Sequence, residues 1–183
     1  MGKTFKIYDD AIEIYQQDFI EKFLTSQIPN LTFPWCYIPN LTHKGANEVG
    51  FGTDLRGGKD LHEIINPFHD LLLTPLYSFC HTKKILIDQV LHFRTFLQTP
   101  SPNPSSQAIH IDRPENHMVM LYYVNDSDGD TIFYDDNENE IKRVTPKKGR
   151  IAFFDGSIKH SGSSPSNSTR IVINYNFLPF TNI

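Results

Sequence analysis

The second half of the chain alternates polar and apolar residues in short runs, and this pattern constrains the fold more than any other feature. In residues 90–98, the odd positions from Leu91 to Leu97 are mostly apolar and the even positions from His92 to Gln98 are mostly polar. A period of two is typical of β-strands. Turn dipeptides such as Asp128-Gly129 separate the runs, so we predict a series of antiparallel strands. The further runs are residues 108–113, 118–125, 131–134, 141–145, 150–154 and 169–177.

The first half predicts one short strand and a helix that packs on the sheet. Residues 4–8 alternate, and Asp10-Ala-Ile-Glu13 then has the form of a helix start. Apolar residues follow at helical spacing, which predicts an amphipathic helix with one buried stripe. These residues are Ile12, Tyr15, Phe19 and Phe23.

A second helix and two irregular segments are predicted before the strands begin. Prolines at 29, 34 and 39 leave residues 33–38 as a short strand near an edge. Glycines at 50, 52, 57 and 58 predict a loop. Asn66-Pro67 resembles the cap and first position of a helix that runs through residues 71–73 towards Pro75.

Many short strands after two helices predict a mostly-β fold with flanking helices. The expected architecture is a double-stranded β-helix, or jelly-roll, core with an N-terminal helical layer. A chain of 183 residues fits one domain, residues 1–183, and buries enough surface to need no disulfides.

Composition narrows the class of partners and the compartment. The net charge of −4 gives no basic surface, so nucleic acid is disfavoured as a partner. The sequence has no run of eighteen apolar residues, so it predicts no membrane-spanning helix. Cys36 and Cys80 are the only cysteines and residues 1–10 are charged, so we expect a cytoplasmic protein with reduced thiols. The oligomeric state is left open.

His110-Ile-Asp112 is the pair of residues on which the functional interpretation depends. On a strand, residues two apart point to the same face, so the imidazole and the carboxylate can reach one metal ion. A second histidine would complete the facial triad of non-haem Fe(II) oxygenases, and His160 is the candidate. Arg170 follows ten residues later, at the head of the last long run.

In these residues the sequence resembles the Fe(II)- and 2-oxoglutarate-dependent dioxygenases, especially the small prolyl 4-hydroxylase-like members of bacteria and phages. Residues 90–177 carry the resemblance. Besides the four residues above, Leu121-Tyr-Tyr-Val-Asn125 with Gly129-Asp-Thr-Ile-Phe133, and Pro146-Lys-Lys-Gly149 with residues 152–154, are similar to segments of that family.

The resemblance implies cofactors and a role for each site residue. His110, Asp112 and His160 would hold Fe(II), which binds 2-oxoglutarate and O2, with ascorbate in support. Arg170 would bind the far carboxylate of 2-oxoglutarate. Tyr123 and Thr131 would supply hydroxyl donors near that carboxylate.

The implied reaction converts 2-oxoglutarate to succinate and CO2 and hydroxylates an unactivated C–H bond. Related halogenases have a small residue in the place of Asp112, so an intact Asp112 favours hydroxylation. Gln98 lies where relatives place a residue that contacts the co-substrate, although a solvated glutamine at a strand end fits the pattern equally well. Asn176 shares the strand face of Arg170, which predicts that it lines the substrate pocket.

A non-catalytic jelly-roll or cupin-like binding module is the alternative. It would use the acidic segment 126–140, which begins with Asp126, Asp128 and Asp130, to bind calcium or a sugar. The substrate of the enzyme is left open between peptidyl-proline and a small molecule. The Pro/Ser-rich segment 99–107 is a candidate lid over the substrate.

Overall fold

The computed structural model describes residues 3–39, 49–57, 63–64 and 66–180, and within them the chain forms eleven strands and two helices. The helices are α1 (Ile14–Leu24) and α2 (His69–Lys83). The strands are β1 (Phe5–Tyr8), β2 (Cys36–Ile38), β3 (Gly50–Gly57), β4 (Glu63–Ile64), β5 (Ile87–Gln98), β6 (Met118–Tyr123), β7 (Thr131–Tyr134), β8 (Glu140–Val144), β9 (Ile151–Asp155), β10 (His160–Gly162) and β11 (Arg170–Pro179).

The strands form a large sheet and a small sheet, both antiparallel in the pairs described. The large sheet has the order β1-β9-β6-β11-β5-β3-β2, with β4 paired to β3, and the small sheet has the order β10-β7-β8. The mostly-β jelly-roll fold with two helices is therefore confirmed.

Both faces of the large sheet are covered, which explains why its central strands are buried throughout. On β6, Met120 and Tyr122 belong to the apolar cluster that contains the helices, while Leu121 and Tyr123 belong to the cluster that contains Phe133 of the small sheet. Successive side chains of a strand point to opposite faces. The large sheet therefore has the helices on one side and the functional site, described below, on the other.

Helix α1 is confirmed, but its buried stripe differs from the predicted one. The helix begins at Ile14, and its buried residues are Gln17, Ile20, Phe23 and Leu24. Tyr15 is 83% exposed, so its assignment to the stripe is wrong. Ile12 lies before the first turn of the helix. The buried stripe that includes Phe23 therefore begins at Gln17, later than the sequence pattern indicates.

Helix α2 is longer than predicted because it continues through Pro75. Proline has no N–H group to donate to Leu71 O, four residues earlier. The Thr74 hydroxyl donates to that carbonyl at 2.7 Å, which supplies the missing hydrogen bond. Neither helix in the described part of the chain is long and apolar enough to cross a membrane.

The glycine-rich segment is a strand, so its prediction as a loop is wrong. Gly50, Gly52 and Gly57 lie in β3, and Gly58 lies outside the described residues. A Cβ atom at Gly52 would stand 2.6 Å from Ile38 Cδ1 and 3.0 Å from Thr95 O. Glycine here allows close strand packing and does not mark a turn. The predicted edge position of β2 is confirmed.

Candidate active site

The two predicted ligands His110 and Asp112 lie on a segment that is not a strand, which corrects the prediction for residues 108–113. His110 instead forms an isolated bridge with His160 of β10. His110 N donates to His160 O at 3.0 Å, and His160 N donates to His110 O at 2.9 Å. Because the two backbones are held side by side, both imidazoles reach the same side of the small sheet, even though residues 108–113 lack the pairing of a full strand.

His110, Asp112 and His160 bring one ligand atom each within 4.8 Å of the others, and no other such cluster was found among the described residues. Asp112 Oδ1 lies 3.8 Å from His110 Nε2 and 3.7 Å from His160 Nε2. These distances are too long for hydrogen bonds, and this buried oxygen has no hydrogen-bond partner. Two imidazole nitrogens and one carboxylate oxygen form the donor set of a non-haem Fe(II) site, so the residues fit that metal.

The other nitrogen of each imidazole fixes the orientation of the ring. His110 Nδ1 lies 2.9 Å from Ala108 O, and His160 Nδ1 lies 3.1 Å from Ile158 O. A carbonyl oxygen only accepts, so each Nδ1 carries the hydrogen. The lone pair of each Nε2 is therefore free to bind a metal.

The environment favours the protonation states that metal binding requires. Burial lowers the pKa of His160 below its usual value, which keeps the imidazole neutral. Burial opposes the ionisation of Asp112, but attraction to His160 in its protonated form, a hydrogen bond from Asn174 and the charge of Arg94 hold the pKa of this carboxyl below its usual value, and the last two act even when His160 is neutral. An ionised carboxylate beside a neutral imidazole is ready to bind a cation.

Asn174 is a functional residue that the sequence interpretation missed. Its Nδ2 donates to Asp112 Oδ2 at 3.0 Å, which leaves Asp112 Oδ1 for the metal. Asn176 Nδ2 donates to Asn174 Oδ1 at 3.1 Å, and Asn176 does not line the cavity described below. The even spacing from Arg170 through Asn174 to Asn176 was the available signal, but it does not indicate which residue reaches the ligand.

Arg170 is buried next to the triad with all three guanidinium nitrogens engaged. Nε donates to Gly129 O at 2.8 Å, Nη1 to Gln98 Oε1 at 3.0 Å and Nη2 to Thr131 Oγ1 at 2.9 Å. Burial lowers the pKa of Arg170, yet a guanidinium remains charged at any physiological pH. One hydrogen on each Nη is still available for an anion.

Thr131 connects Tyr123 to this arginine. The Tyr123 hydroxyl donates to Thr131 Oγ1 at 2.8 Å, and burial raises the pKa of Tyr123 to about 12, so that it stays a neutral donor. Thr131 Oγ1 accepts from both Tyr123 and Arg170, which leaves its own hydrogen for a group in the cavity. Tyr123 does not itself line the cavity.

One cavity contains the triad, Thr131 and Arg170. Gln98 lines it and is buried, which agrees with a role at the co-substrate and not with a solvated strand end. Arg94, Phe96 and Gln107 also line it and were missed by the sequence interpretation. The polar face of residues 92–98 was the signal for Arg94.

The first three aspartates of the acidic segment, Asp126, Asp128 and Asp130, contact separate parts of the protein. Asp128 accepts hydrogen bonds from the backbone N–H groups of residues 166–168. Asp126 Oδ1 accepts from Lys148 N at 2.7 Å, and Asp130 lies 3.8 Å from Arg143. Their carboxylates are thus used in turns and ion pairs, and the alternative function as a calcium or sugar module is not favoured.

Comparison with known proteins agrees with this geometry. Residues 99–178 match the family model of the 2OG-Fe(II) oxygenase superfamily. No curated protein sequence matches the chain.

Solved structures of the same fold cover nearly the whole chain. An oxidoreductase of the 2OG-Fe(II) oxygenase family from Burkholderia pseudomallei has a TM-score of 0.71 at 11% identity, covering 97% of this chain and 85% of that one. A prolyl 4-hydroxylase from Pseudomonas putida has a TM-score of 0.64 at 10% identity, covering 96% and 92%. The non-haem α-ketoglutarate-dependent epimerase SnoN from nogalamycin biosynthesis has a TM-score of 0.65 at 11% identity, covering 96% and 78%.

The solved structures share the fold over nearly the whole chain. The family match covers the predicted metal ligands His110, Asp112 and His160 and the predicted co-substrate residues Tyr123, Thr131 and Arg170. Residues 99–178 of this protein are therefore similar in sequence to the 2OG-Fe(II) oxygenase superfamily, and the described chain has the fold of its members.

Proposed function

We propose that the protein is an Fe(II)- and 2-oxoglutarate-dependent dioxygenase that hydroxylates an unactivated C–H bond and releases succinate and CO2. The observation that carries this proposal is a single cavity in which a His-Asp-His cluster stands beside a buried arginine. When bound, Fe(II) with 2-oxoglutarate and O2 supplies the oxidising chemistry, in which one oxygen atom enters succinate and the other enters the product.

Each site residue has a defined task in this proposal. His110, Asp112 and His160 hold Fe(II) through His110 Nε2, Asp112 Oδ1 and His160 Nε2. Arg170 binds the far carboxylate of 2-oxoglutarate with its remaining Nη hydrogens, and the Thr131 hydroxyl donates to the same carboxylate. Tyr123 acts through Thr131, because its hydrogen bond orients the Thr131 hydroxyl towards the cavity.

The protein also controls water around the reacting groups. Asp112 is almost fully buried and Arg170 and Thr131 are buried, so the carboxylate of 2-oxoglutarate would exchange its hydration for fixed donors. Phe96 lines the same cavity and contributes an apolar surface. Ascorbate serves as a supporting reductant, and a cytoplasmic enzyme with one domain, residues 1–183, is the setting in which we expect this reaction.

The fold is compatible with two classes of substrate, peptidyl-proline and a small molecule. The same fold occurs in a prolyl 4-hydroxylase and in an epimerase of nogalamycin biosynthesis. Below, an arginine in the cavity narrows this choice.

Succinate formation tests the proposal. Purified protein with Fe(II), ascorbate and 2-oxoglutarate should form succinate, slowly without substrate and faster with it, and His110→Ala should abolish this activity. His81→Ala removes an exposed histidine of α2 and serves as the matched control, which should retain activity. A wild-type protein that neither binds 2-oxoglutarate nor forms succinate would refute the proposal.

A further inference from the structure

Arg94 lies where the active-site cavity meets a second space. It belongs to the same face of β5 as Phe96 and Gln98, and all three line the cavity that contains the triad. Arg94 and Phe96 also line an adjoining groove, whose walls include Pro34 and residues of β2, β3 and β5. A molecule that enters the cavity through this groove must pass Arg94.

The guanidinium of Arg94 has no hydrogen-bond partner or ion pair among the described residues. Its Nε is buried and unsatisfied. Asp54, which is directly opposite in the β3–β5 register, bonds instead to His92 Nε2 at 3.2 Å. The charge of Arg94 acts on the carboxylates of Asp54 and Asp112, but its buried Nε donates to neither of them. A buried N–H group without an acceptor is energetically costly, so a ligand in the cavity that accepts from Arg94 would be stabilised.

Packing restricts this guanidinium. Its central carbon lies 4.5 Å from the centroid of the Phe96 ring. A cation at this distance is attracted to the face of an aromatic ring, which limits the movement of the Arg94 side chain. The planar guanidinium can still offer two N–H groups to a planar anion.

Arg94 and Arg170 lie at different positions along the sheet, and the metal ligands lie nearer to Arg94. In the β5–β11 register, Gln98 pairs with Arg170 and Arg94 pairs with Asn174. Four residues along a strand span about 13 Å. Since Asn174 bonds to Asp112, the metal ligands lie towards the Arg94 end, away from Arg170. With 2-oxoglutarate extending from Arg170 to the metal, Arg94 faces the other reactant.

We infer that Arg94 binds a carboxylate of the molecule that is oxidised, so that the substrate is a carboxylic acid. This inference rests on the proposed function and narrows its substrate class. The planar guanidinium matches a carboxylate with two hydrogen bonds. The nearby carboxylates of Asp54 and Asp112 repel a dianionic phosphate more strongly than a singly charged carboxylate. An internal proline of a peptide has no carboxylate of its own to offer at this position.

A paired panel of acids and amides tests the inference. The panel contains the twenty L-amino acids, their α-carboxamides, and short peptides that end in proline with a free or an amidated C-terminus. Binding is measured by calorimetry on the Mn(II)- and 2-oxoglutarate-loaded protein without O2, and products are detected with Fe(II) by a mass increase of one oxygen atom.

We expect a free acid to bind about 10- to 100-fold more tightly than its amide, because amidation removes a charged hydrogen-bonded pair. Response to a free amino acid or to a C-terminal peptide identifies the source of the carboxylate. If no free acid of the panel binds, or if amides bind as well as acids, the inference is wrong.

Substitutions connect the preference to Arg94. Arg94→Gln should bind an acid and its amide equally well. Relative to the wild type, the increase in its KM for the acid should be at least ten times the increase in its dissociation constant for 2-oxoglutarate. Arg94→Lys should recover part of the preference, because it restores the charge without the planar fork. Arg56→Gln is the matched control, since Arg56 is a partly buried arginine of the adjacent strand that lines neither space.

Two failures are distinguishable. A preference for acids that survives in Arg94→Gln would overturn the role of Arg94 while leaving the dioxygenase activity in place. Binding of 2-oxoglutarate by the Mn(II)-loaded variant shows that the variant is folded. A wild-type protein that does not bind 2-oxoglutarate refutes the proposed function itself.

Discussion

The two oxygen atoms of Asp112 have different surroundings, and this difference defines the site at the scale of single residues. Oδ2 accepts a hydrogen bond from Asn174, and Oδ1 faces His110 and His160 without a partner. A carboxylate held in this way presents one lone pair to a metal at a fixed angle. Asn174 is thus a positioning residue, since it orients a proposed ligand and does not bind the metal.

Substitution of Asn174 should weaken metal binding without removing a ligand. Asn174→Ala is expected to raise the dissociation constant for Co(II) or Fe(II) about 10- to 100-fold, because outer hydrogen bonds hold a ligand in its binding orientation. Asn176→Ala, one hydrogen bond farther away, should have a smaller effect. Titration of metal absorption bands under anaerobic conditions measures both values. Equal affinities of Asn174→Ala and the wild type would contradict this role.

The stability of the folded protein should fall in acid as Asp128, which lies near the site, takes up a proton. Lost hydration opposes its ionisation, but hydrogen bonds from Asn167, Ser166 and Ser168 outweigh this and lower the pKa of Asp128 to about 2. An unfolded aspartate has a pKa of about 3.9. Because the folded pKa is the lower one, the stabilisation is complete above about pH 4 and is lost as the pH falls towards 2.

Urea unfolding of Asp128→Asn at several pH values tests this assignment. The wild type should be more stable than the variant at pH 5, and the difference should shrink between pH 4 and pH 2.5. The carboxylate fixes the turn that leads into Arg170, so the variant should also bind 2-oxoglutarate more weakly at neutral pH. A difference that stays constant over this range would show that Asp128 does not titrate as described.

Sequence reasoning predicted His110 and Asp112 as a pair because they are two residues apart, and His160 from the family resemblance, whereas the contacts of Asn174 and Arg94 depend on long-range register. Asn174 reaches Asp112 across 62 residues of sequence. Arg94 acquires its position only when β5 pairs with β11 and β3. The alternation of β5 places Arg94 on the polar face with Gln98, but it does not indicate whether that face lines a cavity or lies in solvent.

At the scale of elements, helix α1 supports the sheet from the side opposite the cavity. Phe23 is fully buried and contacts Phe33 and Phe68 edge-on, with ring centroids 5.5 and 4.9 Å apart. Phe19, one turn earlier, is 40% exposed. The two phenylalanines of one helix therefore differ in what they contribute to folding.

Phe23→Ala should destabilise the protein by about 3–5 kcal/mol, because it removes buried surface and leaves a cavity. Phe19→Ala on the same helix should cost much less and serves as the control. Chemical unfolding monitored by circular dichroism measures both free energies of unfolding. Similar losses for the two variants would mean that α1 packs on the sheet through a different face.

The predictions of strands and helices were correct where a single hydrophobic periodicity dominates the sequence. They were wrong where a contact in the fold decides the local structure. Strands β6, β7, β8, β9 and β11 begin and end within two residues of the predicted runs, whereas β10 was not predicted. The segment 108–113 has the same alternation but pairs only at His110, after a Pro/Ser-rich approach and before Pro114. Helix α2 passes Pro75 because the preceding threonine satisfies the carbonyl that proline leaves free.

At the scale of the whole molecule, the site joins the two sheets. His160 and Thr131 belong to the small sheet, and Arg170 belongs to the large sheet. Arg170 already reaches across to Thr131. A metal with 2-oxoglutarate would connect the same sheets a second time, so ligand binding and global stability should be coupled.

Thermal unfolding should therefore respond to Mn(II) and 2-oxoglutarate together. At about 100 times the dissociation constant, a ligand that binds only the folded state adds about 2.7 kcal/mol of stability, which raises the melting temperature by several degrees. Asp112→Ala should lose most of this shift. A wild-type melting temperature that does not change with both ligands would contradict the coupling.

Metal-dependent binding of 2-oxoglutarate tests the central claim most directly, namely that the triad and Arg170 form one site. Calorimetry without O2 should give tight binding with Mn(II), and binding at least tenfold weaker without metal, in His110→Ala, and in Thr131→Val, which keeps the shape of the side chain but removes the hydroxyl. Binding that is independent of metal, of His110 and of Thr131 would contradict the account.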